Sequence, residues 1–152
     1  MVKHEGWKYF QGINHERLKK GKIDEIKIYK KIKEIDFLPC ECEPTKAWNN
    51  QSDFKNNDLN ISIEIKRRFK YSFDEYPFNK RKNTLSTLIT FKKYQHLREN
   101  NGWLYIQYND KLYMLQVEKI TKDDFIVCHP FGVKHVSINI ACFKNISSEE
   151  YE

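Results

Sequence analysis

A period-two alternation of hydrophobic and polar residues runs from Ile61 to Lys66. Because successive side chains of a β-strand point to opposite faces, its isoleucines share one face and its polar residues share the other. Glu64 and Lys66 therefore point the same way. A shorter run, Gln51 to Phe54, precedes an Asn- and Asp-rich segment that favours a tight turn. The pattern predicts a β-hairpin in which Asp53 lies at the same end as Glu64 and Lys66.

A helical pattern precedes the hairpin. Isoleucines at i, i+4 and i+7 predict a helix from Ile23 to Ile35, and Pro39 prevents its continuation. Glu25 lies on or beside the buried stripe of this helix, which is an unusual place for a carboxylate. Two interpretations stay open: Glu25 belongs to a functional site, or it interacts favourably with the positive end of the helix dipole.

The last third of the chain predicts strands. They lie at Trp103 to Tyr108, Lys111 to Val117, Asp124 to Cys128 and His135 to Cys142. A turn at Asn109-Asp110 separates the first two, and we expect the set to form a β-meander. Before these strands, hydrophobic residues at helical spacing predict a helix from about Thr90 to Glu99 that ends at Asn100-Asn101-Gly102.

Between the hairpin and this helix, the segment from Phe69 to Thr87 has no regular period and is rich in basic and aromatic residues. Such a loop suits nucleic acid, because aromatic rings stack on bases while Lys and Arg meet phosphates. The chain carries 27 Lys and Arg against 21 Asp and Glu, a net charge of +6. A general enrichment in Lys, Asn and Ile explains the same charge, so composition permits nucleic-acid binding without identifying it.

The 152 residues fit one domain, and we expect residues 1–152 to form a single unit. Ten Phe, nine Tyr and three Trp supply apolar area for a folded core. No apolar run reaches the ~18 residues that span a bilayer. Met1 to Phe10 is charged and aromatic, unlike a signal peptide. We therefore expect a cytoplasmic protein without membrane association.

Four cysteines occur in the chain, and we expect reduced thiols. A zinc site can be drawn from Cys40, Cys42, Cys128 and His129, but its spacing lacks the usual paired knuckle. The preferred interpretation is that Cys128 and Cys142 fill apolar strand positions.

The hairpin residues suit a divalent metal site. Mg²⁺ prefers oxygen ligands and keeps several waters, so two carboxylates and a substrate phosphate suffice. Asp53 and Glu64 are the candidate ligands, with the Ile65 carbonyl as a third. Lys66 can orient or deprotonate the attacking water and offset charge in the transition state. Asp58 is an alternative acid, although its mid-turn position directs it away from the strand end. The alternative for Glu64 and Lys66 is an ordinary solvated strand face.

Asp53, ten intervening residues and then Glu64-Ile65-Lys66 resemble the D-x(n)-E-x-K core of the PD-(D/E)XK nuclease superfamily. The order of helix, acidic hairpin, helix and strand agrees over residues 23–108. The proline that often precedes the first acid is replaced by Ser52. Glu25 stands where many members carry an accessory helix carboxylate.

The resemblance implies a restriction-endonuclease-like α/β core, with a central mixed β-sheet flanked by helices. It implies a homodimeric, metal-dependent deoxyribonuclease that uses Mg²⁺, which Mn²⁺ can replace. Resolvase-like members of this superfamily act on Holliday junctions. The implied catalytic residues are Asp53, Glu64 and Lys66, with Glu25 as an accessory.

The residues predicted to contact nucleic acid are Arg67, Arg68, Lys70, Tyr71, Lys80, Arg81, Lys82, Lys92 and Lys93. The rival hypothesis is a non-catalytic DNA- or RNA-binding domain that uses the basic aromatic loop. It predicts salt-sensitive binding that needs no metal.

Overall fold

The computed structural model describes residues 20–45, 52–68, 86–108 and 111–147. These residues form an α/β fold with a mixed central sheet, a second antiparallel sheet and two helices. Helix α1 covers residues 20–34 and helix α2 covers Phe91–Glu99. The strands are β1 (Glu43–Pro44), β2 (Phe54–Asn56), β3 (Ile61–Arg68), β4 (Ser86–Thr90), β5 (Gly102–Tyr108), β6 (Lys111–Gln116), β7 (Phe125–Cys128), β8 (His135–Asn139) and β9 (Lys144–Asn145).

The central sheet has six strands in the order β1-β2-β3-β5-β6-β9. All neighbouring strands are antiparallel except β3 and β5, which are parallel. Their register pairs Glu64 with Leu104 and Lys66 with Ile106. The acidic hairpin is therefore joined to the middle of the sheet from Ser62 to Arg68.

The two helices cover opposite faces of the central sheet. Helix α1 packs in one hydrophobic cluster, the α1-side core, with Ile63, Ile65 and Tyr105. Helix α2 packs in another, the α2-side core, with Leu104 and Ile106. Since consecutive β5 residues alternate between the two clusters, the sheet separates them. The prediction of a central mixed sheet with a helix on each side is confirmed.

The predicted C-terminal β-meander is wrong. Strand β6 pairs with β9, whereas β7 and β8 join β4 in a separate sheet of order β4-β8-β7. Two 3₁₀ turns, Val117–Lys119 and Lys122–Asp124, lead the chain out of the central sheet after β6. A meander requires each strand to pair with the next, and these turns break that succession.

Strand β4 overlaps the end of the segment predicted as a loop and the start of the predicted second helix. Its first two residues, Ser86 and Thr87, are fully buried although polar, so the strand lacks a hydrophobic pattern. The Ser137 hydroxyl donates to the Ser86 hydroxyl at 3.0 Å, which satisfies one polar pair inside the second sheet. The rest of the predicted loop, up to residue 85, lies outside the described residues, as does the predicted turn at Asn109-Asp110.

Both predicted helices are present. Helix α2 begins one residue later than predicted, because Thr90 is its N-cap and accepts a hydrogen bond from the Lys93 backbone N–H at 3.2 Å. Gly102 lets α2 pack closely on β5, since a Cβ there would lie 2.5 Å from the Leu97 Cα. No helix among the described residues is long and apolar enough to cross a membrane.

Candidate active site

The hairpin differs from its prediction in one respect. The first strand is Phe54–Asn56 rather than Gln51 to Phe54, so Asp53 comes just before β2. Asp53 is nevertheless held in place, because its backbone N–H donates to the Ile63 carbonyl at 2.9 Å. The turn covers residues 57–60, and Asn60 has the positive φ expected of its type (50°).

The side chain of Asp53 lies beside the acid-x-lysine triplet. Its Oδ2 accepts a hydrogen bond from the Ile65 backbone N–H at 2.7 Å. The negative charges of Glu64 and Glu25 both raise the pKa of Asp53, so the three carboxylates lie close together. The structure therefore brings the three predicted carboxylates near one another, with Asp53 bound to the residue that follows Glu64, and their catalytic roles stay predictions. Asp58, the alternative acid, is exposed in the turn.

The environment of Asp53 favours its protonated form. Burial, followed by the negative charges of Glu64 and Glu25, raises the pKa of Asp53 to about 8. The hydrogen bond from Ile65 acts in the opposite direction because it stabilises the carboxylate. Burial is the main cause of this shift and the two neighbouring carboxylates add to it, so a cation bound beside Asp53 would lower its pKa.

Glu64 is the buried centre of the site. Its side chain is 5% exposed, and each of its oxygens meets a lysine. Lys66 Nζ lies 3.3 Å from Oε2, and Lys93 Nζ lies 3.2 Å from Oε1. Buried carboxylates require such partners, because an unpaired charge away from water is costly. Glu64 is therefore not part of a solvated strand face.

Glu25 reaches the site from α1. Burial raises its pKa, while Lys22 lowers it from 3.6 Å away along the same helix. Lys22 also donates to the backbone carbonyl of Asp53 at 3.2 Å and lies over the Phe54 ring. These contacts fasten the first helix to the hairpin. Of the two interpretations of Glu25, membership of the carboxylate cluster agrees with its contacts.

The sequence pattern did not predict that two lysines, Lys93 and Lys22, lie at the carboxylate site. The ammonium of Lys93 contacts Glu64, and its predicted contact with nucleic acid stays a prediction. The signal was its spacing: Lys93 lies four residues before the buried Leu97, and residues i and i+4 share a helix face. Lys22 had no comparable signal, because nothing in its spacing relates it to the backbone of Asp53.

The donor set fits a cation that keeps much of its water. Among the described residues, no three His, Cys, Asp or Glu side chains are arranged to hold a metal ion by themselves. The predicted set is smaller, with the carboxylates of Asp53 and Glu64 and the carbonyl of Ile65. Mg²⁺ commonly uses one or two carboxylates and completes its shell with water and phosphate oxygens. The metal roles of these three residues stay predictions.

The predicted nucleic-acid contacts are described only in part. Arg67 pairs with Asp24 at 3.2 Å, and Lys92 is exposed. The remaining predicted contacts lie outside the described residues: Lys70, Tyr71, Lys80, Arg81, Lys82 and the side chain of Arg68.

The zinc arrangement does not form in the described structure: Cys40 and Cys42 adjoin the α1-side core, whereas Cys128 lies in the second sheet. Cys128 is buried in a strand as expected, whereas Cys142 lies in a 3₁₀ turn.

No protein-family model matches this chain, and no curated protein sequence matches it.

Proposed function

We propose that this protein is a Mg²⁺-dependent endonuclease that hydrolyses phosphodiester bonds in DNA, built on a restriction-endonuclease-like core. The observation that carries the proposal is the hydrogen bond from Ile65 N–H to Asp53 Oδ2, 2.7 Å long. It holds the first carboxylate against a Glu-x-Lys triplet on the adjacent strand. Asp53, Glu64 and the Ile65 carbonyl would hold the metal.

The burial of the charges supports an active site over a plain binding surface. A nucleic-acid-binding face needs exposed cations, whereas Glu64 is buried and two lysines are directed towards it. Such a cluster lowers folding stability, because like carboxylates repel and charges lose water. A buried carboxyl whose pKa is strongly raised, as that of Asp53 is, is characteristic of functional sites.

The residues divide the work of hydrolysis. A bound Mg²⁺ would polarise the phosphate and activate a water molecule. Asp53 must lose its proton to bind the metal, and the Ile65 N–H stabilises the resulting carboxylate. With a metal bound at Asp53 and Glu64, the ammonium of Lys66 would orient the attacking water and offset charge on the transition state. Lys93 would hold a phosphate oxygen.

The direct test is a cleavage panel with the purified chain. Linear duplex, supercoiled, single-stranded and four-way-junction DNA are incubated with Mg²⁺, with Mn²⁺ or with chelator. We expect cleavage that needs the divalent ion and is lost in Asp53→Asn and Lys66→Ala. Asp58→Asn is the matched control, since it removes an exposed acid from the same hairpin. Cleavage that persists in chelator, or in Asp53→Asn, would rule out this site.

The panel also decides the remaining alternatives. Preference for the four-way junction would identify a resolvase-like activity. Because one site cuts one strand, we expect the chain to act as a homodimer, which analytical ultracentrifugation measures. Salt-sensitive DNA or RNA binding without cleavage of any substrate would instead favour the non-catalytic binding domain.

A further inference from the structure

Cys40 and Cys42 form a close pair of thiols outside the carboxylate site. Their sulfurs are 3.7 Å apart, and all four cysteines of the described structure are free. Cys42 is buried against the α1-side core, whereas Cys40 is partly exposed. A disulfide needs the sulfurs to approach to about 2.05 Å, which rotations within this short non-helical segment can supply.

The backbone of Cys42 is held by the first helix. The Tyr29 hydroxyl donates to the Cys42 carbonyl at 3.1 Å and accepts from the Cys42 N–H at 2.9 Å. The backbone N–H and the backbone carbonyl of Cys42 are therefore both hydrogen-bonded to the Tyr29 side chain. Bringing the sulfurs from 3.7 Å to bonding distance would pull Cys42 toward Cys40 and so strain its backbone hydrogen bonds to the Tyr29 hydroxyl.

Tyr29 connects the thiol pair with the carboxylates. Its ring stacks on Phe54 with the centroids 4.3 Å apart, and Phe54 directly follows Asp53. Glu25 lies one helical turn before Tyr29 on α1. A shift of Tyr29 would therefore act both on the start of β2, through Phe54, and on the helix that carries Glu25.

We propose that Cys40 and Cys42 are a reversible oxidation site whose disulfide form loosens α1 from the hairpin and lowers activity at the carboxylates. The activity part of this inference rests on the proposed nuclease function. The oxidant is a peroxide. The Cys40 thiolate attacks one peroxide oxygen and becomes a sulfenic acid, while the other oxygen leaves as water after taking up a proton.

The Cys42 sulfur then attacks the sulfur of the sulfenic acid. The S–S bond forms, the S–O bond breaks, and the departing hydroxide takes the thiol proton to become water. In total, two thiols lose two electrons and two protons, and hydrogen peroxide becomes two water molecules. Cys40 reacts first because it is the more accessible thiol. A dithiol reductant reverses the reaction by exchange.

The test uses the full chain with hydrogen peroxide as the oxidant. After treatment, free thiols are alkylated and the fragment containing residues 40–42 is weighed by mass spectrometry. We expect it to carry no alkyl group and to lack two hydrogens, and to regain both thiols with dithiothreitol. We also expect the Tm to fall by about 2–4 °C, as the loss of roughly one net hydrogen bond requires.

Cleavage is measured on the same samples. Activity should fall severalfold with peroxide and return with dithiothreitol. Cys40→Ser should keep its activity and its Tm under peroxide, whereas Cys128→Ser, which removes a thiol in the second sheet, should respond like the unaltered chain. A Cys40 that still alkylates, a Cys40 that stops at a sulfinic acid, or a disulfide that changes neither Tm nor cleavage would overturn the inference. If the reduced chain cleaves no substrate, the nuclease proposal is contradicted instead. The fragment mass and the Tm change then test the oxidation site without the activity measurement.

Discussion

The two faces of β3 are equally buried but chemically opposite. Ile63 and Ile65 are 0% and 4% exposed on the face toward α1, and Ser62 and Glu64 are 0% and 4% exposed on the face toward α2. The first face gains free energy by removing apolar surface from water. The face toward α2 offsets part of this gain, because burying polar groups costs free energy. One strand therefore both stabilises the fold and presents its charges, and the apolar face holds the acid-x-lysine face in position.

The largest expected effect is loss of activity on the charged face. Glu64→Gln keeps the shape of the side chain but removes the charge that both the metal and the lysines require. We expect DNA cleavage with Mg²⁺ to fall by about 10²–10³-fold, the usual range for a lost electrostatic contact at a reaction centre. Single-turnover cleavage assays measure this. Circular dichroism should show an unchanged fold, and full activity in a folded variant would refute the role of Glu64.

The next largest effect is a difference in folding stability between substitutions on the two faces of β3. Ile63→Ala leaves a cavity in the α1-side core and should lower the free energy of unfolding by about 2–4 kcal/mol. Ser62→Ala is the matched change on the other face. Its hydroxyl has no hydrogen-bond partner within the described structure, so its removal should be neutral or stabilising by up to about 1 kcal/mol. Urea unfolding of both variants tests the contrast, and equal losses would contradict it.

A third prediction concerns pH without metal. The pKa of Asp53 is raised to about 8 from its ordinary value of 3.8, so between these values the folded state holds a proton that the unfolded state has lost. Stability should therefore decrease as pH rises through this window, and Asp53→Asn should flatten the decrease. At pH 8 to 9 in chelator we expect Asp53→Asn to be more stable by on the order of 1–3 kcal/mol.

Thermal unfolding of the two proteins across the window provides the measurement. Adding Mg²⁺ at high pH should raise the Tm of the unaltered chain more than that of Asp53→Asn, because a ligand stabilises the state that binds it. If the Tm of the two proteins changed in parallel with pH in chelator, Asp53 would be ionised throughout the window and the prediction would be wrong.

The smallest effect distinguishes the two lysines on Glu64. Lys93→Met leaves this buried carboxylate with Lys66 as its ammonium partner, and we expect a loss of about 1–2 kcal/mol in chelator. This is less than for a fully buried pair because Lys93 is partly exposed. Mg²⁺ should reduce the loss. Lys66→Met should instead abolish cleavage even with Mg²⁺ present, and similar cleavage defects in both variants would show that the lysines share one role.

Local patterns predicted the parts of the fold whose burial follows hydrophobic periodicity. The alternation at β3 and the isoleucines of α1 led to the correct elements. Strand β4 was missed because Ser86 and Thr87 are buried polar residues, and only their pairing with β8 explains that burial. The separation into two sheets was missed for a similar reason, since strand order depends on contacts between distant segments.

The site was predictable where strand geometry relates its members. Glu64 and Lys66 share a face by the strand period, and the turn brings Asp53 to them. The spacing of Lys93 before the buried Leu97 indicates the packed face of α2, but its place beside Glu64 depends on α2 packing across that face of β3, which is a contact between distant segments. Likewise, the hydrogen bond from Ile65 to Asp53 depends on the irregular residue that precedes β2.

Gly102 has a consequence for how this site can vary during evolution. A single methyl group added there would meet the main chain of α2 at Leu97, which cannot rotate away as a side chain can. The helix would have to withdraw, and Lys93, one turn before Leu97, would move with it away from Glu64. A substitution at position 102 would therefore disturb the contact between Lys93 and Glu64 even if every charged residue of the site stayed unchanged.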